Sequence, residues 1–382
     1  MNLLLDIYKN KLQGDKKLWM VAFGLSIISL LAVFSSVSSL AVKHHGGNPS
    51  SYVIKHLVFL GIGFFIMHVV SKAKISLIAR LGNLSYWFAL ALLLYTLING
   101  VSLNSASRWI NIPIINQSFQ TSDLAKIVVV LFLSRFLAAR QGEIKNYKTV
   151  FIPALGYTLG VVILILPANF STAAMLFMVC LSVLFVARIP IHQILLGLSV
   201  LGVLGFGGLK IGAQFLPRLS TWESRIQNFG ADDAEGNYQA DHAKIAIASG
   251  GIIPKGPGNG VSRNFLPHPY SDMIYAFIIE EYGSILGGLL IIFLYLFFLI
   301  RCIKIASKTE HAFVAYASVG LGVLICTQAF INMGVSVGMF PVTGQPLPLV
   351  SLGGTSTIFT CLIFGVLLAF SRDNHKTEMS NG

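Results

Sequence analysis

The chain has 382 residues, of which 55% are hydrophobic and only 11% are charged, against about 25% charged in an average soluble domain. The apolar residues form long blocks and the mean hydropathy is +0.75, which excludes a water-soluble globular protein. A formal net charge of +12 would suggest nucleic acid in a soluble protein, but here Lys- and Arg-rich cytoplasmic loops explain it better, so no nucleic-acid partner is predicted.

Apolar segments of membrane-spanning length follow one another along the chain. The first, residues 18–42, is too long for the core of a signal peptide and is predicted to be a retained transmembrane helix. Nine more follow, at about 53–71, 84–101, 123–139, 149–167, 171–187, 190–209, 272–300, 311–339 and 353–371. The predicted fold is therefore an all-α polytopic integral membrane protein with ten transmembrane helices.

The distribution of positive charge predicts the orientation. Most Lys and Arg residues fall in segments that face the cytoplasm if the N-terminus does, so both termini are predicted to be cytoplasmic. The single membrane domain then divides into a cytoplasmic segment, helices 1–7, a large extracytoplasmic loop, helices 8–10 and a cytoplasmic tail, which correspond to residues 1–17, 18–209, 210–271, 272–371 and 372–382.

The large loop contains a stretch from Ala240 to Ile253 that is apolar enough to lie on the membrane surface or pack back on the bundle. A glycine-rich run follows it, Lys255-Gly-Pro-Gly-Asn-Gly260, with Arg263 shortly after. Such a run could cradle a phosphate, but it lacks the GK[ST] ending and the strand context of a P-loop. Turn formation is therefore the better interpretation of the glycines.

A few ionisable residues lie near predicted helices on the outer side, where desolvation makes them functional candidates. Asp272 follows two prolines and precedes the eighth helix. It could cap that helix, or it could be a carboxylate at the water–lipid boundary that takes a proton from a hydroxyl. Spacing alone leaves these two interpretations equally favoured.

Two further acidic residues, Glu280 and Glu281, come two helical turns later. Glu280 is closer to the face of Asp272, because eight residues turn a helix by about 80° net and nine by about 180°. Pairing with a buried Arg or Lys is the favoured interpretation for both, and a proton relay is the alternative.

Basic residues flank the start of the fourth helix. Arg108 is predicted in the loop after the third helix, and Asp123 and Lys126 share one face of the fourth because they are three residues apart. Spacing favours mutual neutralisation of Asp123 and Lys126. The alternative is a cationic pocket of Arg108 and Lys126 for a phosphate-bearing lipid headgroup.

Several separated motifs jointly resemble the SEDS family of bacterial shape, elongation, division and sporulation proteins. They are Arg108-Trp-Ile, Gln120 to Lys126, Pro167 to Thr172, Thr221-Trp-Glu-Ser-Arg225, Ser249-Gly-Gly, Lys255-Gly-Pro-Gly-Asn259, Arg263-Asn-Phe-Leu-Pro267, Ser271-Asp272, Glu280-Glu-Tyr-Gly283, Pro341 to Pro348 and Ser351-Leu-Gly-Gly354. The resemblance covers nearly the whole chain, and three of its motifs, those in residues 221–225, 255–259 and 263–267, favour the division branch.

The resemblance implies a peptidoglycan glycosyltransferase of the cytoplasmic (inner) membrane that polymerises lipid II during septal cell-wall synthesis. It implies a class B penicillin-binding protein as transpeptidase partner, together with other division proteins. The essential aspartate of the family falls on Asp272, the basic residues of its groove on Arg108 and Lys126, and its helix-opening acid on Asp123. Lys255, Arg263, Glu280 and Glu281 complete the candidate substrate-binding residues.

The hypothesis for the reaction is inverting transfer, with Asp272 as general base and undecaprenyl pyrophosphate as leaving group. No cofactor is predicted with certainty, although a divalent cation, Mg²⁺ or Mn²⁺, would suit a pyrophosphate. The sequence departs from the family at Asn169, where an aspartate is common, and this argues against a catalytic or metal role there. A lipid II flippase and a non-catalytic division scaffold are the alternative functions.

Overall fold

The computed structural model describes residues 12–37, 50–103, 106–112, 117–212, 238–262 and 270–380, together with residues 222, 225, 229 and 265. Within this part there are twelve α-helices and three short strands. The first six helices are α1 (Lys16–Ser36), α2 (Ser50–Ser71), α3 (Ile75–Asn99), α4 (Thr121–Ala138), α5 (Ile152–Ile165) and α6 (Phe170–Val186). The others are α7 (Ile191–Gly212), α8 (Tyr238–Gly250), α9 (Ile274–Gly283), α10 (Leu290–Lys308), α11 (Ala312–Ser336) and α12 (Gly354–Ser380).

Seven helical stretches of the described chain are long and apolar enough to span a membrane. They are Lys16–Ser36, Ser50–Ser71, Ile75–Asn99, Tyr147–Ile165, Ile274–Lys308, Ala312–Ser336 and Gly354–Asp373. The protein is therefore a multi-pass membrane protein. Each of the ten predicted segments overlaps a helix, but α6 and the apolar part of α7 are shorter, and α4 carries three charged residues. Membrane crossing by these three helices, and hence the count of ten, stays a prediction.

The core lies around α4, whose side chains are nearly all buried, including those of Asp123 and Lys126. Helices α6, α11 and α12 pack beside it with largely buried surfaces. By contrast, α2 and α3 expose many large apolar side chains, as lipid-facing helices do. The polar residues at the start of α4 are therefore enclosed by protein.

A small antiparallel sheet connects α3 to α4, where the sequence predicted a loop. It contains β1 (Val101–Leu103), β2 (Ala106–Ile112) and β3 (Gln117–Gln120), in the order β1-β2-β3. Trp109 of β2 pairs with Gln120, the residue before α4. The prediction that Arg108 lies in a loop is wrong, because its backbone belongs to β2.

The predicted eighth segment, residues 272–300, is not one straight helix. Gly283 has φ +76° and ends α9, and a π-helical turn, Ser284–Leu289, leads into α10. A Cβ at Gly283 would lie 2.7 Å from the carbonyl oxygen of Ile252, so only glycine allows this approach. The break follows from close backbone packing, which a continuous apolar sequence does not reveal.

The loop helix α8 packs back on the bundle, one of the two placements predicted for residues 240–253. Its buried Ala243 and Ala246 form a small apolar cluster together with Met273 and Ala276. At its C-terminus, Gly250 lies so close to α9 that a Cβ would be 2.3 Å from the carbonyl oxygen of Ile279. The segment containing Asp272 is therefore bordered by α8 as well as by the membrane helices.

Candidate active site

A segment without regular secondary structure, residues 341–351, crosses the bundle between α11 and α12, and we call it the proline strap. Its backbone carbonyls cannot be satisfied by a helix or a sheet, so buried side chains must bond them. The donors are Arg225 to Val342 (2.7 Å), Ser171 to Thr343 (3.4 Å), Asn332 to Gln345 (2.7 Å), Gln328 to Pro346 (3.0 Å), Tyr295 to Pro348 (2.5 Å) and Ser29 to Val350 (2.8 Å). The strap is thus held by several helices at once.

Asp272 lies in a turn, residues 270–273, that rests on the strap and on α11. Helix α9 begins at Ile274 with Met273 as its N-cap residue, which makes no side-chain capping bond. Asp272 therefore precedes the N-cap position by one residue, and the choice between a role at the helix start and a catalytic role stays a prediction. Asp272 is half-buried, so its side chain remains partly accessible.

The neighbouring phenol of Tyr270 is held in its neutral form. Burial raises the pKa of Tyr270, and the charges of Tyr52 and Asp272 raise it further. A neutral phenol can donate a hydrogen bond, whereas a phenolate beside a carboxylate would repel it. The surroundings of Asp272 therefore contain a hydroxyl donor at neutral pH.

Lys126 and Asp123 form a buried ion pair, with the Lys126 ammonium 2.8 Å from Asp123 Oδ1. Lys126 also donates to Gln328 Oε1 over 3.1 Å. Both charged side chains are at most one tenth exposed. The contacts therefore show mutual neutralisation, the interpretation that spacing favours. The pair also lines a small crevice between α4, α11 and α12.

Helix α11 brings this ion pair close to the Asp272 turn. Gln328 contacts Lys126, and Asn332 donates to the backbone carbonyl of Asp272 over 2.8 Å. These two residues are four apart, so they lie on one face of the helix about 6 Å apart along its axis. The structure thus places Asp123, Lys126 and the Asp272 turn around one side of α11.

Two of the predicted basic residues have no described side chain. Arg263 lies outside the described residues. The side chain of Arg108 also lies outside the described part of the structure, although its backbone precedes Trp109, which pairs with the residue before α4. Their assignment to substrate binding stays a prediction.

Glu280 and Glu281 bind the glycine-rich run. Glu280 accepts hydrogen bonds from the amides of Val261 (2.9 Å) and Ser262 (3.2 Å), from the Ser262 hydroxyl, and from Ser249 (3.3 Å). Glu281 Oε1 accepts from Gly258 N (3.0 Å), Gly260 N (3.3 Å) and Ser35 Oγ (2.6 Å). Consecutive backbone amides commonly bind anions, and here the anions are the chain's own carboxylates.

This arrangement bears on three predictions. Turn formation by the glycines is supported, because Gly256 and Gly258 have φ of +91° and +84°. Glu280 Oε1 is 3.7 Å from Lys255 Nζ, but Lys255 is exposed and is not the buried basic partner that was predicted. The structure does not bring Glu280 or Glu281 to an exposed surface, since both are at most 1% exposed. These contacts indicate a structural role, and substrate binding by either stays a prediction.

Asn169 caps α6, which explains its position without a catalytic role. Its Oδ1 accepts from Thr172 N (3.3 Å) and Ser171 Oγ (2.8 Å). Among the described residues, no group of three or more His, Cys, Asp or Glu side chains could hold a metal ion. We therefore assign no residue to a divalent cation.

Sequence analysis missed the neutral polar residues that connect the site. Gln328 and Asn332 lie four residues apart in a largely apolar helix of 25 residues, and this spacing was an available signal. Charge and depth select ionisable groups, so these criteria pass over both residues. Ser351, only 3% exposed, belongs to the motif Ser351-Leu-Gly-Gly354, which by itself predicts no role for its hydroxyl.

The cell cycle protein family that includes FtsW, RodA and SpoVE matches residues 15–376. A probable peptidoglycan glycosyltransferase FtsW of Nitrosococcus halophilus is 32% identical over 359 residues, which cover 92% of this chain and 91% of that protein. Stage V sporulation protein E of Bacillus subtilis is 30% identical over 372 residues, 95% of this chain and 98% of that protein.

Solved structures share the fold. The crystal structure of the rod shape determining protein RodA of Thermus thermophilus has a TM-score of 0.70 and 24% identity over 96% of this chain and 99% of that chain. A chain from a study of polymerization and crosslinking by a peptidoglycan synthase complex has a TM-score of 0.72 and 23% identity, covering 95% of this chain and 99% of the other.

Proposed function

Because this chain belongs to the cell cycle protein family of FtsW, RodA and SpoVE, as its motifs predicted, we propose that it is a peptidoglycan glycosyltransferase that polymerises lipid II. The observation that carries the proposal is the similarity along more than nine tenths of its length to proteins named for that activity. The many FtsW relatives support the division branch, hence action at the septum with a class B penicillin-binding protein and other division proteins.

In the proposed reaction, the Asp272 carboxylate takes the proton from the 4-hydroxyl of the acceptor sugar. The freed oxygen attacks the anomeric carbon of the donor from the face opposite the pyrophosphate, and the configuration inverts. Supporting this role, Asp272 is half-buried on a turn whose backbone is bonded to α11 and the proline strap. A partly exposed carboxylate on a fixed turn suits general-base catalysis.

The leaving pyrophosphate needs cations more than it needs an acid, and Lys126 is the described candidate. Its ammonium carries three donors, of which Asp123 and Gln328 take two. We propose that the third donor binds a phosphate oxygen of the substrate beside the small crevice that the pair lines. Asp123 then orients Lys126 and does not itself bind substrate. Arg108 and Arg263 are proposed as further phosphate ligands on their charge alone.

The proposed orientation has both termini in the cytoplasm, so that Asp272 faces outside, where the glycan is built. The extracytoplasmic loop then covers residues 210–271, between helices 1–7 (18–209) and helices 8–10 (272–371). The short segments 1–17 and 372–382 lie inside. Positive-inside asymmetry supports this arrangement.

The test is polymerisation by the purified full chain, with and without its class B partner, supplied with fluorescent lipid II. The proposal predicts a ladder of glycan strands resolved by gel electrophoresis. The matched variant Glu310→Ala changes an exposed carboxylate far from the strap and should leave the ladder unchanged. Absence of any ladder from folded protein with its partner present would refute the proposed activity.

Transport of lipid II is a second candidate, favoured by the break between α9 and α10 at Gly283, because transporters commonly use discontinuous helices. The test uses liposomes that contain the purified protein in their bilayer. Transport would make fluorescent lipid II of the inner leaflet accessible to an external quencher. Accessibility without glycan strands would favour transport, and strands without accessibility would favour the glycosyltransferase.

A further inference from the structure

The turn that carries Asp272 is fixed by donors to three consecutive backbone carbonyls. Leu352 N donates to Tyr270 O (2.9 Å), Ser351 Oγ to Ser271 O (2.6 Å), and Asn332 Nδ2 to Asp272 O (2.8 Å). A short turn ahead of a helix has no regular pairing for these carbonyls. All three are satisfied from α11, from the end of the proline strap and from Leu352, which directly follows the strap.

The two side-chain donors are themselves fixed by other bonds. Asn332 is fully buried and donates also to Gln345 O (2.7 Å), so its amide joins the turn to the strap. Ser351 Oγ accepts from Leu347 N (2.8 Å) while donating to Ser271 O. Each side chain therefore has one bond to the turn and one to the strap, and neither can rotate without breaking both.

The strap contains a strained residue at the same place. Leu349 has φ +61° and is 2% exposed. Residues other than glycine rarely adopt this backbone conformation. It persists because its neighbours are bonded on both sides, Pro348 O by Tyr295 and Val350 O by Ser29. Such over-determined backbone is common where a catalytic geometry must be maintained.

We propose that Asn332 and Ser351 are positioning residues, which fix the Asp272 carboxylate relative to the bound sugar. The inference rests on the proposed function and adds to it: neither residue touches substrate, and both act through the backbone of the turn. A shift of about 1 Å in a catalytic group can lower a rate by about 100-fold. Loss of either donor should therefore lower kcat more than it changes KM.

The test measures steady-state polymerisation by Asn332→Ala and Ser351→Ala in the full chain with its partner. We expect kcat to fall about 10- to 100-fold and KM to stay within about twofold. Ser351→Thr retains the hydroxyl and should restore most of the rate. Ser134→Ala, which removes an equally buried hydroxyl bonded to Val130 O within α4, serves as the control and should match wild type.

A double-mutant cycle separates positioning from general loss of structure. In an Asp272→Asn background, Asn332→Ala should cause no further loss of residual activity, because the group that it positions is gone. An equal loss in both backgrounds, or wild-type kcat in Ser351→Ala, would overturn the inference. If Asn332→Ala does not fold, the two Ser351 variants decide. Full activity of Asp272→Asn alone would instead refute the role of Asp272 in the proposed function.

Discussion

Substitution of Glu281 tests whether this buried glutamate has a structural role or acts in a proton relay. Its Oε1 accepts three hydrogen bonds, from Ser35, Gly258 and Gly260, in a site that is fully buried. Hydrogen bonds to a charged group contribute about 1.5–3 kcal/mol each, and a buried donor left alone costs about 1–3 kcal/mol. Because Gly258 N can retain its bond to Ser35, we expect Glu281→Ala to cost about 3–5 kcal/mol in total.

Glu281→Gln should be much milder, about 1–2 kcal/mol, because the amide oxygen can still accept all three bonds. The assay is thermal unfolding in detergent, together with limited proteolysis of residues 251–262. About 1 kcal/mol corresponds to roughly 2–4 °C in melting temperature, so Glu281→Ala should melt at least about 6 °C lower and be cleaved faster. Glu310→Ala, at an exposed position, is the control. A Glu281→Ala protein with wild-type stability and lost polymerisation would refute the structural role and restore the proton-relay alternative.

Two further predictions concern the core of the bundle. Lys126→Met should destabilise the fold by about 3–5 kcal/mol, because it leaves the Asp123 charge buried and unpaired. The double variant Lys126→Met/Asp123→Asn should regain most of that stability in the same unfolding assay, but it should not regain polymerisation activity. Recovery of both stability and activity would show that Lys126 has a structural role only. Gly250→Ala should cost about 1–3 kcal/mol, since its Cβ would lie 2.3 Å from a carbonyl of α9. Gly202→Ala, with open space around it, should unfold like wild type, and equal melting temperatures for the two variants would contradict the packing of α8 on α9.

The positions of the seven long apolar helical stretches could be predicted from hydropathy, because each such segment must satisfy its backbone within itself in lipid. The sheet at residues 101–120 could not, since its strands have three, seven and four residues and carry little periodicity. The break at Gly283 was also hidden, because the residues on both sides are apolar. Backbone approach, and not hydropathy, determines it.

At the site, charge and depth selected Asp272, Asp123 and Lys126 as candidates, and α11 connects the Asp272 turn to Lys126 through Asn332 and Gln328. The same criterion selected Glu280 and Glu281, whose burial serves the glycine-rich run instead. Depth alone cannot distinguish a carboxylate that binds its own loop from one that faces a cavity. The amide of Asn332 escaped notice because a neutral side chain carries no charge penalty, although burial of its polar atoms is also costly.

The central claim is that Asp272 accepts the proton of the attacking sugar hydroxyl. Its most direct measurement compares initial rates of glycan formation by wild type and Asp272→Asn, each purified with the class B partner and matched for melting temperature. A general base is worth about 10²- to 10⁴-fold, so the variant should polymerise lipid II at no more than about one hundredth of the wild-type rate while still binding it. Long glycan strands made by folded Asp272→Asn at a rate near that of wild type would contradict the account.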